Sequence, residues 1–270
     1  MKNYRYIIGM AALLLLAGLY YYVSVKQRAV RVPTAGVALS FDDRFIEDWY
    51  QLRPLFRQYN AKATFYISQF DSLSDNDRRL LDELAQDGHE IGCHGAIHTN
   101  AVDFIKGRGQ EDYLNSEIRP ALAAMRRAGY TPSSFAYPGG ARNRETDKLL
   151  STYFSSLRDV TKIERTLAGI SLRRPAGWMF EAYSTFASDG LFFALSIDNG
   201  DGLTHKNIDA SLDKAANDQS VLVLFGHQPF FQQQPPGSYG FDVARLRYIL
   251  QEASRRHLRF YTMSELVRPG

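Results

Sequence analysis

Short apolar runs alternate with amphipathic segments along most of the chain. Five runs have the continuous or alternating apolar pattern that is typical of buried strands. Between them, apolar side chains recur every three or four residues, which predicts helices that pack one face on a sheet. The predicted strands are 37–41, 62–68, 89–94, 133–137 and 221–225, and the predicted helices are 45–59, 75–87, 111–128, 144–150, 206–217 and 242–256.

The order of these elements predicts a parallel sheet with helices on its outer face. Residues 153–203 are less regular. There we expect strands at 155–160, 168–172 and 192–197 and a helix near 178–188, followed by a last strand at 259–263. Roughly seven or eight strand–helix units within one domain's length favour a closed α/β barrel over an open sheet.

Residues 6–25 contain no charged side chain and include four consecutive leucines. A helix of this length would span the hydrocarbon core of a bilayer. No small-x-small cleavage site follows it, so we predict an uncleaved anchor over 1–26, a polar linker over 27–35 and one catalytic domain over 36–267. A cleaved signal peptide, which would give a secreted protein, and a buried core helix are the alternatives. The catalytic domain is expected to lie outside the cytoplasm.

Charge and cysteine content narrow the functional classes. The net charge is +3, and the charged residues, 23% of the chain, are dispersed, so we expect no nucleic-acid partner. Cys93 is the single cysteine, which excludes a disulfide within the chain. Its side chain should point away from that of its neighbour His94, and we expect it to be buried and inert.

Candidate catalytic residues follow the predicted strands. In α/β barrels, chemistry occurs where strands end and loops begin. A carboxylate and two imidazoles suit a zinc site that keeps one position open. Taken singly, each residue has a simpler explanation, such as a helix cap, a satisfied core histidine or a loop histidine. These residues are Asp42 and Asp43 after the first strand, His94 and His98 after the third, and His227 after the apolar run 221–226.

Three further segments adjoin these candidates. Tyr137, Pro138 and Gly139 form a strand-to-loop turn that could present an N–H group to an oxyanion, although a plain turn is the simpler interpretation. His89 shares a strand with His94, and we expect a structural role for it. Residues 228–239, with three glutamines before two prolines, are expected to form a mobile surface loop beside His227.

These motifs, in this order, resemble the polysaccharide deacetylase family (NodB homology, carbohydrate esterase family 4). The family carries Thr-Phe-Asp-Asp-Gly, a histidine pair whose first member is followed by Ser or Thr, Arg-x-Pro-Tyr/Phe-Gly, and Leu-x-Leu-x-His. The resemblance covers about residues 35–267 and implies an irregular (β/α)7 barrel. The Phe-Ala-Tyr-Pro sequence resembles the subgroup that acts on poly-N-acetylglucosamine. The matching segments are 40–44, 94–98, 136–140 and 222–227.

The resemblance also implies roles. Asp43, His94 and His98 would hold one divalent metal, first Zn²⁺, with Co²⁺ or Ni²⁺ as alternatives. Asp42 would take the proton from the attacking, metal-activated water, and His227 would protonate the leaving amine. The Tyr137-Pro138-Gly139 turn would contact the oxyanion. The implied reaction removes acetyl groups from N-acetylated sugars of an extracytoplasmic polysaccharide, such as poly-N-acetylglucosamine, peptidoglycan or a chitin-like glycan.

Several departures from the family pattern leave alternatives open. Arg44 replaces a glycine and should project near the metal loop, Gly139 replaces an aromatic residue, and Ala136 replaces the arginine that holds the catalytic aspartate. Arg173 or Arg174 would have to supply that partner. For the family's fourth motif, an aspartate near a tryptophan, Asp198 and Trp178 are weak candidates. The alternatives are an O-acetyl esterase, a non-sugar amide hydrolase, a glycan-binding pseudoenzyme and a component of polysaccharide-export machinery.

Overall fold

Parallel strands form the centre of the domain that begins at Ala35. The computed structural model describes residues 34–161, 164–167, 170–173, 180–186 and 189–267. The strands, in chain order, are β1 Gly36–Asp43, β2 Thr64–Ile67, β3 Glu90–Cys93, β4 Ser134–Ala136, β5 Ser156–Thr161, β6 Glu164–Leu167, β7 Ile170–Arg173, β8 Tyr183–Ser184, β9 Leu191–Ser196, β10 Val221–Gly226, β11 Gln228–Phe230, β12 Gly240–Asp242 and β13 Arg259–Tyr261.

Seven of these strands close into a parallel barrel. They follow the order β1-β2-β3-β4-β5-β9-β10, and β10 pairs in turn with β1 from Gly36 to Phe41. Strand β13 adds to the start of β1, and β8 pairs antiparallel with β10. Strands β6 and β7 form a separate antiparallel pair, and β11 and β12 a parallel one. All seven barrel strands therefore end at the same rim.

Helices cover the outside of the barrel. Several begin with side-chain caps, in which Ser74, Asn100, Asn143 and Thr204 accept a backbone N–H of the first turn. A π-helical turn, Leu114–Ile118, lies between two of them. The helices are α1 Ile46–Tyr50, α2 Arg53–Gln58, α3 Asp75–Gln86, α4 Ala101–Arg108, α5 Gln110–Tyr113, α6 Arg119–Arg127, α7 Arg144–Leu150, α8 His205–Asn217 and α9 Val243–Arg255.

Alternation along each strand divides the core into two layers. Successive side chains of a strand point to opposite faces. Phe41 and its outward-facing equivalents pack beneath the helices, where the Phe41 ring lies 5.6 Å from that of Phe65 and 5.4 Å from that of Phe241. Ala38, Tyr66 and their equivalents fill the barrel interior. The inward positions near the rim are therefore the ones that can carry polar groups into an enclosed site.

The barrel predicted from the alternation of strands and helices is confirmed, with corrections in the connections. The predicted helix 45–59 is divided into α1 and α2, because Pro54 has no N–H to continue the first helix. The predicted helix 111–128 is α5, the π turn and α6, with Pro120 in the first turn of α6. The pattern missed α4, which begins after the Asn100 cap.

The middle of the chain differs most from the prediction. The strand expected at 168–172 is β7, which pairs with β6 outside the barrel. The helix expected near 178–188 lies partly outside the described residues, and the described part, 180–186, contains a 3₁₀ turn and strand β8 instead. The predicted anchor and most of the linker also lie outside the described residues and stay predictions. None of the helices that the structure describes is long and apolar enough to cross a membrane.

Candidate metal and catalytic site

The candidate residues converge on the rim where the barrel strands end. Asp42 and Asp43 are the last residues of β1, and His94 directly follows β3. His98 lies four residues further along the same loop, and His227 directly follows β10. Parallel strands expose their carboxyl ends on one side, so residues that are far apart in sequence meet there.

Asp43, His94 and His98 form a group that could hold a metal ion. Asp43 Oδ1 lies 3.2 Å from His98 Nε2 and 3.7 Å from His94 Nε2, and the two Nε2 atoms are 3.2 Å apart. A tetrahedral ion with ligand bonds of about 2.1 Å holds its ligand atoms roughly 3.4 Å from one another. One carboxylate oxygen and two imidazole nitrogens at these separations fit zinc or a similar divalent ion.

Unusual backbone angles orient two of the three side chains. Asp43 has φ 87° and His98 has φ 56°, a region that residues other than glycine seldom adopt. Without the turn at Asp43, strand alternation would direct its carboxylate away from that of Asp42. Instead, both aspartates lie within 4.0 Å of His94 Nε2. Backbone strain of this kind is often found at functional sites.

The tautomer of His94 is fixed by the backbone. Its Nδ1 lies 2.9 Å from the carbonyl oxygen of Ala136, and because a carbonyl can only accept, Nδ1 carries the proton. The lone pair of Nε2 is therefore left facing Asp43, as in histidines that bind metals. Burial lowers the pKa of His94 to about 4, so the imidazole is neutral at pH 7 and able to bind a cation.

The carboxylate of Asp43 is held in its ionised form. Burial by itself would raise its pKa, but hydrogen bonds from His98 and Tyr239 and the nearby His94 and His227 bring the pKa well below its usual range. Tyr239 donates its hydroxyl to Asp43 Oδ2 over 2.5 Å. Tyr239 comes from the predicted loop 228–239, which contains β11 and reaches back to the site at its end. No pattern in the sequence indicates this contact.

Arg158 is a second site residue that sequence analysis missed. It lies on β5, is fully buried, and forms an ion pair with Asp42 Oδ2. Its Cα is the direct partner of Ala136 across the β4–β5 ladder. The guanidinium group expected at position 136 therefore comes from the adjacent strand at the same height. The side-chain placements of Arg173 and Arg174, the predicted substitutes, lie outside what the structure describes.

One pattern in the sequence could have identified Arg158. Ser156, Arg158 and Val160 alternate with Leu157 and Asp159, so Arg158 shares the inward face with Ser156. A lone cation on the inward face of a buried strand needs an anionic partner inside the barrel. Asp42, on the inward face of β1, is such an anion.

His227 is held by Asp198, which follows β9. Asp198 Oδ2 lies 2.5 Å from His227 Nδ1, and Asp198 Oδ1 accepts the His227 backbone N–H over 3.1 Å. Burial would lower the pKa of His227, but the hydrogen bond to Asp198 and the charges of Asp42 and Asp43 raise it above its usual value. Trp49 is a tryptophan adjacent to His227, since its Nε1–H donates to the His227 carbonyl over 2.9 Å. Trp178 lies outside the described residues.

The Tyr137-Pro138-Gly139 turn leaves the barrel beside the site. It follows Ala136, whose carbonyl holds His94. The Tyr137 ring is buried, and its hydroxyl donates to Asp147 rather than to any of the candidate site residues. Gly139, with φ 63°, borders open space, so its backbone is accessible from outside. The proposed contact between this turn and an oxyanion stays a prediction.

Three other residues are placed as follows. Arg44 donates to Gln69 Oε1 and to the Ser72 carbonyl, over 3.0 and 3.3 Å. The Gln69 backbone N–H in turn donates to Gly95 of the loop that carries the histidines, so Arg44 does reach the surroundings of that loop. Cys93 is buried, and burial raises its pKa to about 12. His89 is buried too, and its Nδ1 accepts the Ala63 N–H, in keeping with the expected structural role.

Part of the chain matches a known protein family. Residues 29–153 match the family model described as polysaccharide deacetylase. Over these residues the chain is similar to that family, and the match supports the predicted enzyme class, a hydrolase of the polysaccharide deacetylase type. A Bacillus subtilis relative, the uncharacterized protein YlxY, is 30% identical over 93 residues, which cover 34% of this chain but only 27% of the relative.

Solved structures of low sequence identity share the fold of this domain. The chitin deacetylase of Colletotrichum lindemuthianum is 15% identical, with a TM-score of 0.55 over 88% of this chain and 89% of the other. The peptidoglycan deacetylase PdaC of Bacillus subtilis is 16% identical, with a TM-score of 0.52 over 88% and 92%. An acetyl xylan esterase of Clostridium thermocellum, solved with cobalt, is 19% identical, with a TM-score of 0.51 over 85% and 89%.

Removing one of the three candidate ligands should weaken metal binding specifically. We expect His98→Ala to weaken Zn²⁺ affinity by more than the roughly 10–100-fold that a change outside the ligand shell costs, because one ligand atom is lost. A chelator-competition titration of the purified chain measures this. His89→Gln is the matched control, since it changes a buried histidine of the same domain that packs against Phe56 and Phe65, away from the site. Equal affinities for His98→Ala and wild type would rule out His98 as a ligand.

Proposed function

We propose that this chain removes acetyl groups from N-acetylated amino sugars of a polysaccharide, with one divalent cation, Zn²⁺ in the simplest case, held by Asp43, His94 and His98. The proposal rests on two ionisable side chains beside the group of Asp43, His94 and His98. Each of them is held by an oppositely charged partner. Asp42 is paired with Arg158, and His227 is paired with Asp198. A base and an acid flanking a cation are the components that hydrolysis of an unreactive amide requires.

Asp42 is proposed as the general base. Its Oδ2 is occupied by Arg158, whereas its Oδ1 accepts no hydrogen bond from the described residues. A cation in the cluster would lower the pKa of a water molecule and polarise the acetyl carbonyl. Asp42 Oδ1 then accepts a proton from the attacking water as the new C–O bond forms. Arg158 acts as a positioning residue that fixes the direction of the carboxylate.

His227 is proposed as the general acid. Because Asp198 takes the Nδ1 proton as a hydrogen bond, the Nε2 proton of the imidazolium is the one that can be transferred. Breaking the C–N bond requires a proton on the leaving nitrogen, and His227 supplies it as acetate and the free amine form. The raised pKa of His227 keeps this proton on the ring at neutral pH more of the time than in a free histidine. An amine, which must be protonated to leave, uses such an acid more than an alcohol does.

The pseudoenzyme alternative loses one of its two supports. It rested on the replacement of the family's glycine by Arg44 and of the expected arginine by Ala136, and the second change would have left Asp42 without a partner. Arg158 supplies the guanidinium group from the neighbouring strand instead. We therefore favour an active hydrolase, and the nature of the leaving group distinguishes amide from ester substrates.

Acetate release from N-acetylglucosamine oligomers tests the reaction. We expect the full chain, loaded with Zn²⁺, to release acetate from these oligomers. The release should stop when a chelator removes the metal. Acetylated xylan oligomers serve as the matched ester substrate. Faster release from the xylan would favour the O-acetyl esterase alternative, and release from N-acetylglucosamine that persists in chelator would contradict the metal-dependent mechanism.

Moving the guanidinium group back across the β4–β5 ladder tests the role of Arg158. We expect Arg158→Ala to lower kcat at least about 10²-fold, because the base loses its fixed direction. The double variant Ala136→Arg/Arg158→Ala should recover part of that loss, since positions 136 and 158 are direct cross-strand partners. Thermal unfolding of both variants provides the control for folding. A double variant that folds but is no more active than Arg158→Ala would contradict this role.

The pairing of His227 with Asp198 predicts a shift in the pH profile. A general acid works while protonated, so activity is present below its pKa and is lost as the pH rises through it. Asp198→Asn removes a negative charge that raises the His227 pKa, so the alkaline limb of kcat/KM should move to lower pH. Asp209→Asn, on the outer helix α8, is the control. An unchanged alkaline limb in Asp198→Asn would rule out His227 as the group that titrates there.

We also propose that the domain works outside the cytoplasm, held at a membrane by residues 6–25. The support is the uncharged apolar length of that segment. The full chain should sediment with membranes, and Leu14→Arg/Leu15→Arg should release it into the soluble fraction because a bilayer rejects two charges. A wild-type chain that is recovered in the medium without residues 1–26 would instead support a cleaved signal peptide.

A further inference from the structure

The loop that carries His94 and His98 has no regular secondary structure of its own. Residues 94–100 belong to no helix or strand. The spacing of four residues therefore does not place the two imidazoles together in the way that one turn of a helix would. Gly95 has φ 86° and His98 has φ 56°, so the loop adopts left-handed conformations at two positions. Such a conformation persists only when surrounding groups hold it.

Glu117 is the group that holds this loop. Its Oε2 accepts the backbone N–H of Ile97 over 2.8 Å, and its Oε1 accepts that of Thr99 over 3.0 Å. Its backbone carbonyl accepts the N–H of Ala96 over 3.0 Å. The two side-chain bonds thus fall on the residues immediately before and after His98, so one carboxylate fixes the backbone on both sides of a candidate ligand.

Burial, backbone conformation and a neighbouring glycine all accommodate the contacts that Glu117 makes with the loop. Its side chain is fully buried, although a carboxylate is costly to bury without partners. It lies in the π-helical turn Leu114–Ile118, an irregularity that is frequent at functional sites. The Glu117 carboxylate also requires glycine at position 95, because a Cβ there would lie 2.1 Å from Glu117 Oε1. Gly95 stands where the family motif has Ser or Thr, so this chain gives up a side chain there and admits the Glu117 carboxylate.

We infer that Glu117 is a positioning residue for the metal site, which sets the place of the His98 imidazole through the backbone of the loop. Glu117 is not a member of the metal-site group, and both of its carboxylate oxygens accept backbone N–H groups of the loop. The inference rests on the proposed function, since it takes Asp43, His94 and His98 as the ligands. Outer groups that orient metal ligands typically contribute 10–100-fold to metal affinity or activity, and Glu117 acts in this way through backbone N–H groups.

Metal affinity of the full chain tests this role. Glu117→Gln keeps the shape of the side chain, but its NH₂ group cannot accept, so one of the two N–H bonds is lost. Glu117→Ala loses both bonds. We expect Zn²⁺ affinity, measured by chelator competition, to fall about 10–100-fold in Glu117→Ala and by a smaller factor in Glu117→Gln. The visible spectrum of the Co²⁺-loaded protein should change in both variants, because the geometry around the ion is altered.

Glu90→Gln is the matched control. Glu90 Oε2 also accepts a backbone N–H, that of Ser264, over 3.0 Å, but it lies at the opposite end of the barrel, at the start of β3. Glu90→Gln should affect thermal unfolding while leaving Zn²⁺ affinity unchanged. A loss of affinity in Glu90→Gln as large as that in Glu117→Gln would overturn the inference, because the effect would then be one of general stability.

The remaining outcomes separate this inference from the proposed function. If both Glu117 variants bind Zn²⁺ as wild type does, the role of Glu117 is wrong and the metal site stands. If the wild-type chain itself binds no divalent cation, the metal site and the role of Glu117 are both wrong. If Glu117→Ala does not fold, the isosteric Glu117→Gln decides, with its far-ultraviolet circular dichroism as the check on folding.

Discussion

Pairing between β1 and β10 is the constraint on which the site depends. Six residue pairs, from Gly36–Val221 to Phe41–Gly226, close the sheet into a barrel. The closure brings the end of the first strand beside the end of β10, so Asp42 and His227, which are 185 positions apart in sequence, reach one rim. In an open sheet these two strands would be edges on opposite sides, and the base and the acid of the proposed reaction could not face one substrate.

The barrel interior accepts charge at a cost in stability. Asp42 and Arg158 are both removed from water, and the penalty for burying a pair of ions often equals or exceeds their attraction. Arg158 Nε and Nη1 have no hydrogen-bond partner among the described residues, but its guanidinium lies 4.8 Å from the Phe225 ring and 5.4 Å from the Tyr66 ring. These ring faces offset part of the lost hydration. An ion pair held at such a cost is better explained by orienting a reactive carboxylate than by stabilising the fold.

Sequence reasoning was most successful where a residue's role follows from its own strand. The alternation of strands and helices predicted the barrel. Polar residues at strand ends predicted which side chains could meet at one rim, and the family resemblance implied that Asp43, His94 and His98, which form the metal-site group, would be the ligands. It failed where the role depends on a neighbour that is distant in sequence. Arg158, Glu117 and Tyr239 reach the site from a middle strand, a π turn and a loop. Alternation along β5 predicts that Arg158 faces inward, but no local pattern indicates the partner of Glu117 or of Tyr239. The connections failed for a different reason, since a proline or a cap ends a helix within a periodic pattern.

The placement of Ala136 and Arg158 as cross-strand partners bears on how such domains are recognised. A comparison made position by position registers a missing arginine on β4 and would count the domain as defective. A comparison made across the ladder finds a guanidinium group on the next strand, at the direct cross-strand partner of position 136. Loss of a signature residue is therefore weak grounds for calling a barrel of this kind inactive until the inward faces of the adjoining strands have been inspected. The proposed reaction requires a positive charge at a particular place in space, and the sequence position that supplies this charge can differ.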